Sequence, residues 1–260
     1  MKITSVTAMA AIIFLLILPC FSGCLYQVSG SGNLVTEQFD YTDFANIEVS
    51  NVFEVEISQS DTYSIDITAD DNIMEYITID RSGDTLRVGL KIGYSYRSIT
   101  AVAKIDMPDI KQFVLSGASG AIINDFASAG NVNIDVSGAS SLTLSGLSCA
   151  DIGIEVSGAS NLNGNLNAAE AVFNISGASR LSLTGLGQDL KATVSGASNM
   201  DLDSFVVDNL DINVSGASTA VVNTEGTLDA DVSGASSLQY IGNPTLGDIS
   251  VSGASDLEKK

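Results

Sequence analysis

The chain is 260 residues long, with 31 acidic and 11 basic residues and neither histidine nor tryptophan. That balance excludes nucleic acid as a partner, because phosphate backbones are held by cationic side chains. Without histidine, general acid–base catalysis near neutral pH is poorly provided for.

Residues 1–24 read as an export signal: a single cation, Lys2, precedes an unbroken apolar run of 11 residues at 8–18. That run suits a signal-peptide core and falls short of the roughly 20 residues that span a bilayer. Phe21-Ser22-Gly23-Cys24 resembles a lipobox, with phenylalanine where leucine is usual. The resemblance implies cleavage before Cys24 and lipidation of its thiol, and hence a membrane-anchored protein on the extracytoplasmic side of the envelope. Cys149 is then the one remaining thiol and has no cysteine to pair with, so the exported domain must be stable without a disulfide. With no histidine to activate it, Cys149 reads as a small half-buried hydrophobe.

Residues 25–36, containing Ser29-Gly30-Ser31-Gly32, read as a flexible linker, and residues 37–260 as one β domain. Within it, 37–110 carries irregular strands alternating at period two, at 52–57, 63–67, 77–79, 85–92 and 99–107. From 111 to 260 the tetrapeptide Ser-Gly-Ala-Ser recurs eight times, starting at Ser116, Ser137, Ser157, Ser176, Ser195, Ser215, Ser233 and Ser252. Steps of 18 to 21 residues are the period of a stacked solenoid.

Alignment on the tetrapeptide exposes four apolar columns. Leu115, Val136, Val156, Ile175, Val194, Val214, Val232 and Val251 stand one residue before it, and Phe113, Ile134, Ile154, Phe173, Ala192, Ile212, Ala230 and Ile249 three before. Two and four residues after it come further columns, such as Leu142, Leu162, Leu181 and Leu144, Leu183, Leu202. Alternation puts these columns on one face of the two strands that flank the tetrapeptide, and that face is the inside of a coil. A rung of about 19 residues at roughly 3.3 Å each has a perimeter near 60 Å, room for two or three short parallel strands. Parallel crossovers are right-handed in nearly all cases, so the expected fold is an all-β, right-handed parallel β-helix with Ser-Gly-Ala-Ser corners.

A corner must turn at the same height in every rung with neighbours only about 4.8 Å away, which forbids bulk. Gly117, Gly138, Gly158, Gly177, Gly196, Gly216, Gly234 and Gly253 are therefore expected at positive φ, with the alanine methyls stacked inside the corner and the serines bonding backbone groups and one another. Eight identical copies mark a scaffold, whereas a catalytic serine needs a base and an oxyanion hole.

The segment from Phe44 to Ile57 (FANIEVSNVFEVEI), followed by Ala69-Asp70-Asp71-Asn72-Ile73, resembles the start of the putative autotransporter adhesin, head GIN domain family. The later Ser-Gly-Ala-Ser rungs resemble that family's Gly-Ser-rich turns. The resemblance implies a pectin-lyase-like β-helix without conserved catalytic residues, exported, often lipid-anchored and associated with adhesion. It supplies no functional residues to transfer.

The acidic columns are the candidate site. Asp211, Asp229 and Asp248 stand four residues before consecutive tetrapeptides, with Asp231 two beyond Asp229. Oxygen-only ligands of this kind suit a weak Ca²⁺ site, set against a plain solvated face; no other cofactor is expected. Arg180 and Lys191, the two cations between Gln112 and Glu258, are the bases available to a polysaccharide-lyase reaction if they lie near each other. The sequons at Asn174 and Asn213 read as chance matches. The expected function is that of an exported, non-catalytic surface module, an adhesin or envelope structural protein whose partner is a surface protein or glycan. The alternatives are a carbohydrate-binding or sensing module and, below that, a lyase-like enzyme. Oligomeric state is left open, since the last rung needs a cover or charge.

Overall fold

The computed structural model describes residues 26–260; the export signal and Cys24 lie outside the described residues. It is a β-solenoid of about 7 turns with parallel stacking. Among the described residues there is no α-helix, only one 3-10 turn at Met74–Tyr76.

Two long parallel ladders meet at the corner. The first runs through Thr85–Leu90, Asn46–Val49, Gln112–Leu115, Val132–Val136, Asp151–Val156, Glu170–Ile175 and Asp189–Val194, and continues in 209–214, 227–232 and Thr245–Val251. The second runs through Ala101–Met107, Glu54–Gln59, Gly120–Asn124, Ser141–Ser148, Asn161–Asn167 and Arg180–Leu186 to Ser237–Ile241 and Asp256–Lys259. A short third ladder beyond the second aligns Phe126, Leu147 and Leu166 in neighbouring rungs.

All four apolar columns point inward, with Leu115, Val136, Val156, Phe113, Phe173, Leu142 and Leu183 buried in one continuous core. The exceptions are Ile249 and Val251 in the last rung, exposed where no further rung among the described residues covers them.

Gly177 shows what fixes the corner. Its φ is +77°, and a Cβ there would lie 3.0 Å from the amide nitrogen of Gly158 and closer still to its carbonyl oxygen. The other corner glycines also have positive φ. Each rung ties to the last by a backbone bond such as Ala178 N–H to Gly158 O, 2.8 Å. One expectation is reversed: the alanines are exposed, and the fourth serines, Ser119 to Ser236, are the side chains buried inside the corner. A hydroxyl there can serve the backbone of adjacent rungs, as Ser218 does by donating to Gly196 O (3.3 Å) and accepting from Ser198 N–H (3.4 Å). A methyl could not.

The N-terminal part also departs from the expected layout. Residues 25–36 are not a flexible linker where described: Tyr26–Ser29 pairs in parallel with Tyr94–Arg97, and Leu34–Gln38 pairs antiparallel with Ser64–Asp70. The Gly-Ser composition suggests slack, but the amides are captured, with Gly32 N–H donating to Asp70 Oδ1 at 2.6 Å and Ser31 N–H to Asn72 Oδ1 at 3.0 Å. Regular stacking likewise begins before residue 111, since Asn46–Val49 and Glu54–Gln59 form a complete rung. Its corner is Ser50-Asn51-Val52-Phe53, with Asn51 at φ 78° in the glycine position. That first rung lies between 112–124 on one side and 85–107 on the other. Antiparallel strands Ser64–Asp70 and Ile77–Ser82 then close this end.

Candidate functional site

The outward side chains of the first ladder form a shallow acidic trough along the solenoid. The roomiest hollow described on this face is a groove of about 630 Å³ lined by Asn133, Asp135, Asp151, Glu155, Glu170 and Asn174 around Gly153. Gly153 leaves room for the Asn133 side chain, since a Cβ there would meet Asn133 Oδ1 at 2.7 Å. Partial burial in this groove raises the Asp135 carboxyl above its ordinary range. Smaller hollows continue along the same face past Lys191 and Asp211 to Asp231 and Asp248.

The trough contains a stack that the repeat alignment passed over. Asp151, Glu170 and Asp189 pair in register in three consecutive rungs, six residues before each tetrapeptide, and Asn209 follows. Counting one further alternation step back from the corner would have found them. Asn209 Nδ2 donates to Asp189 Oδ1 at 2.8 Å, which relieves one end of the like-charge column.

The four predicted calcium ligands, Asp211, Asp229, Asp231 and Asp248, line one hollow of about 450 Å³ on this face. Asp211 and Asp229 are in register, but a ladder irregularity between Leu228 and Ala230 moves Asp248 out of the column. Lys191 Nζ lies 3.4 Å from Asp211 Oδ2, and Asp229 Oδ1 accepts the Asp248 amide at 2.7 Å. Asp231 is flanked by Asn213 and Ser250. Among the described residues no group of three or more His, Cys, Asp or Glu is arranged to hold a metal ion.

Arg180 and Lys191 stand on different ladders, Arg180 between Asn161 and Asn199, Lys191 between Val172 and Asp211. They do not form a pair. The Cys149 thiol is pushed up to about 11 by burial and by Asp151, so it is protonated at neutral pH and unsuited to nucleophilic work.

A second groove, of about 750 Å³, lies at the N-terminal end between Glu48, Arg87, Lys91, Ile92 and Tyr94. Arg87 there is engaged by Glu48 at 2.8 Å, which raises its pKa further.

Solenoid, glycine corners and antiparallel cap together match a known family. Residues 43–244 fit the model described as "Putative auto-transporter adhesin, head GIN domain". The chain belongs to this family. Solved structures with the same fold include a putative adhesin from Parabacteroides distasonis ATCC 8503, with TM-score 0.78 and 20% identity over 89% of this chain and 99% of that one. A putative adhesin from Parabacteroides merdae ATCC 43184 gives TM-score 0.77 and 20% identity over 90% of this chain and 99% of that one. A putative lipid binding protein from Parabacteroides distasonis ATCC 8503 gives TM-score 0.76 and 18% identity over 90% and 99%. No curated protein matches the chain. At these identities the solved structures establish the fold alone.

Proposed function

We propose that the protein is an exported, lipid-anchored adhesion module that presents its first-ladder face to a partner at the cell envelope and carries out no reaction. The observation that carries this reading is the division of labour in each rung. The residues repeated identically, Ser-Gly-Ala-Ser, are used by the corner, while the outward positions vary from rung to rung and line a continuous trough. Variable side chains on a rigid repeat scaffold are how solenoids read partners. Membership of a family described as adhesins supports the same reading. The signal segment and Cys24 support export and anchoring.

The acidic balance of the trough favours a basic protein surface. A second reading, glycan binding, draws on the side-chain amides beside the carboxylates, Asn133 and Asn174, which can hydrogen-bond sugar hydroxyls. Protein and glycan arrays probed with the chain separate the two. Salt-sensitive capture by basic proteins, lost on Asp151→Asn/Glu170→Gln, supports adhesion to protein, and salt-insensitive capture by a defined glycan supports the second. Protease treatment of intact cells tests location, and a chain confined to the cytoplasm would refute both readings.

A further inference from the structure

The N-terminal end carries a surface feature that the trough does not use. Tyr26, Tyr76, Tyr94 and Tyr96 form one aromatic cluster, with ring centroids 4.8 Å apart for Tyr76 and Tyr94, 6.0 Å for Tyr76 and Tyr96, and 6.5 Å for Tyr26 and Tyr94. Beside it the loop after Leu90 carries Ile92, which is 91% exposed, and Tyr26 is 78% exposed. The loop is held in shape by Tyr96 Oη donating to Lys91 O at 2.7 Å, and Lys91 Nζ sits 5.8 Å over the Tyr76 ring. Arg97 ends the strand that pairs with Tyr26–Ser29 and, among the described residues, has no carboxylate within salt-bridge distance.

We infer that this tip, Ile92 with Tyr26 and Tyr94 flanked by Lys91 and Arg97, docks on the surface of an anionic lipid bilayer. The inference rests on the anchored reading proposed above and goes beyond it by fixing which end of the solenoid meets the membrane. Three observations select a bilayer as the occupant. Tyr26 is two residues from Cys24, so a lipid on that thiol is within about 7 Å of chain length from the aromatic cluster. Tyrosine rings with an apolar body and a polar edge are suited to the headgroup region, where an exposed isoleucine can enter the acyl boundary. Charge agrees locally: of the ten basic residues after Cys24, six lie in the stretch from Arg81 to Lys111, against the three acidic residues Asp84, Asp106 and Asp109. Basic side chains next to a lipid anchor supply the second signal that stable anchoring needs.

Because the chain has no tryptophan, a single one reports its own surroundings. Full-length Ile92→Trp and, at the far end, Leu246→Trp are purified from membranes and reconstituted in vesicles of phosphatidylglycerol with brominated phosphatidylcholine. The expected result is blue-shifted emission, reduced about twofold by the brominated lipid, for Ile92→Trp and unchanged emission for Leu246→Trp. Adding Lys91→Glu and Arg97→Glu to Ile92→Trp should weaken its quenching without releasing the protein. A lipidated chain with unquenched Ile92→Trp overturns the docking inference and leaves the anchor standing. Unmodified Cys24 by mass spectrometry removes the anchor, and quenching on added vesicles then supports or overturns the tip by itself. Emission that is blue-shifted without lipid and depends on protein concentration would assign the tip to a second copy, and the inference falls.

Discussion

Replacing Gly177 with alanine tests whether the corner is fixed by the close approach of successive rungs. At φ +77° an L-residue costs about 1–2 kcal/mol from backbone sterics alone. The new methyl would also displace Gly158 O, the acceptor of Ala178 N–H at 2.8 Å, and strain the bond from Ala197 N–H to Gly177 O, also 2.8 Å. Weakening two such bonds adds about 1 kcal/mol each, for a total near 3–4 kcal/mol. Gly83→Ala supplies the comparison: its φ is +64° with nothing within 4 Å of the would-be Cβ, so only the backbone cost of about 1–2 kcal/mol applies. Urea unfolding followed by far-ultraviolet circular dichroism reads both variants, and hydrogen exchange at Ala178 and Ala197 localises the loss. Equal destabilisation by the two substitutions would refute the argument, because the stacking of rungs would then contribute nothing to the choice of glycine.

Among the buried serines, Ser179 has a hydroxyl without a partner, whereas the Ser218 hydroxyl both donates and accepts. Ser179→Ala should therefore be neutral or stabilising by up to about 1 kcal/mol while Ser218→Ala destabilises by about that amount, read from urea midpoints. Asp70 is buried and its two oxygens accept from Gly32 N–H and Thr100 N–H, each at 2.6 Å. Asp70→Asn turns one acceptor into a donor facing a donor, so a loss of about 2–3 kcal/mol is expected in thermal or urea melts. Because burial holds the Cys149 thiol up at about 11, its alkylation by iodoacetamide should be slow at pH 8 and rise steadily to beyond pH 10. A plateau reached near pH 9 would show an ordinary thiol and contradict the burial of that loop.

The repeat part of the fold was legible because its two constraints leave direct marks on sequence. Inward columns must be apolar at every second position, and a residue stacked against its own copy must lack a side chain. The first rung was hidden because Asn51 meets the same demand for positive φ through a polar side chain, which here accepts the Leu90 amide at 2.8 Å. Phe53 stands where later rungs have serine. Its ring finds room because the neighbouring rung leaves the corner after Leu90 for the excursion through Tyr94–Arg97. Stacking order could not be read either: strands 85–90 and 101–107 follow the first rung in sequence yet pack on its opposite side from 112–124. Alternation reports which way a side chain faces and carries no information on which strand lies above. The acidic character of the candidate face was legible in the sequence. Acidic residues were expected at Asp211 and Asp229, which do line a hollow of this face, but a roomier hollow on the same face lies rungs away at Gly153, where a glycine outside the tetrapeptide gave no signal of its own.

The distribution of charge connects the two surfaces. A column of carboxylates at Asp151, Glu170 and Asp189, spaced by the strand separation of about 4.8 Å, repels itself and contributes nothing to folding. Its position on the solvent side keeps that repulsion screened, so the fold tolerates it at modest cost. Six of the ten basic residues after Cys24 lie at 81–111, in the part of the chain that carries the aromatic tip. In the docking proposed above, Lys91 and Arg97 at the tip are attracted to an anionic bilayer while the acidic column is repelled, and the two effects favour the same attitude. On the proposed docking, the solenoid would stand out from the lipid with its trough clear of the headgroups. On that proposal the anchor, the tip with Lys91 and Arg97 and the acidic column would act together and leave the outward face of the rungs open to a partner.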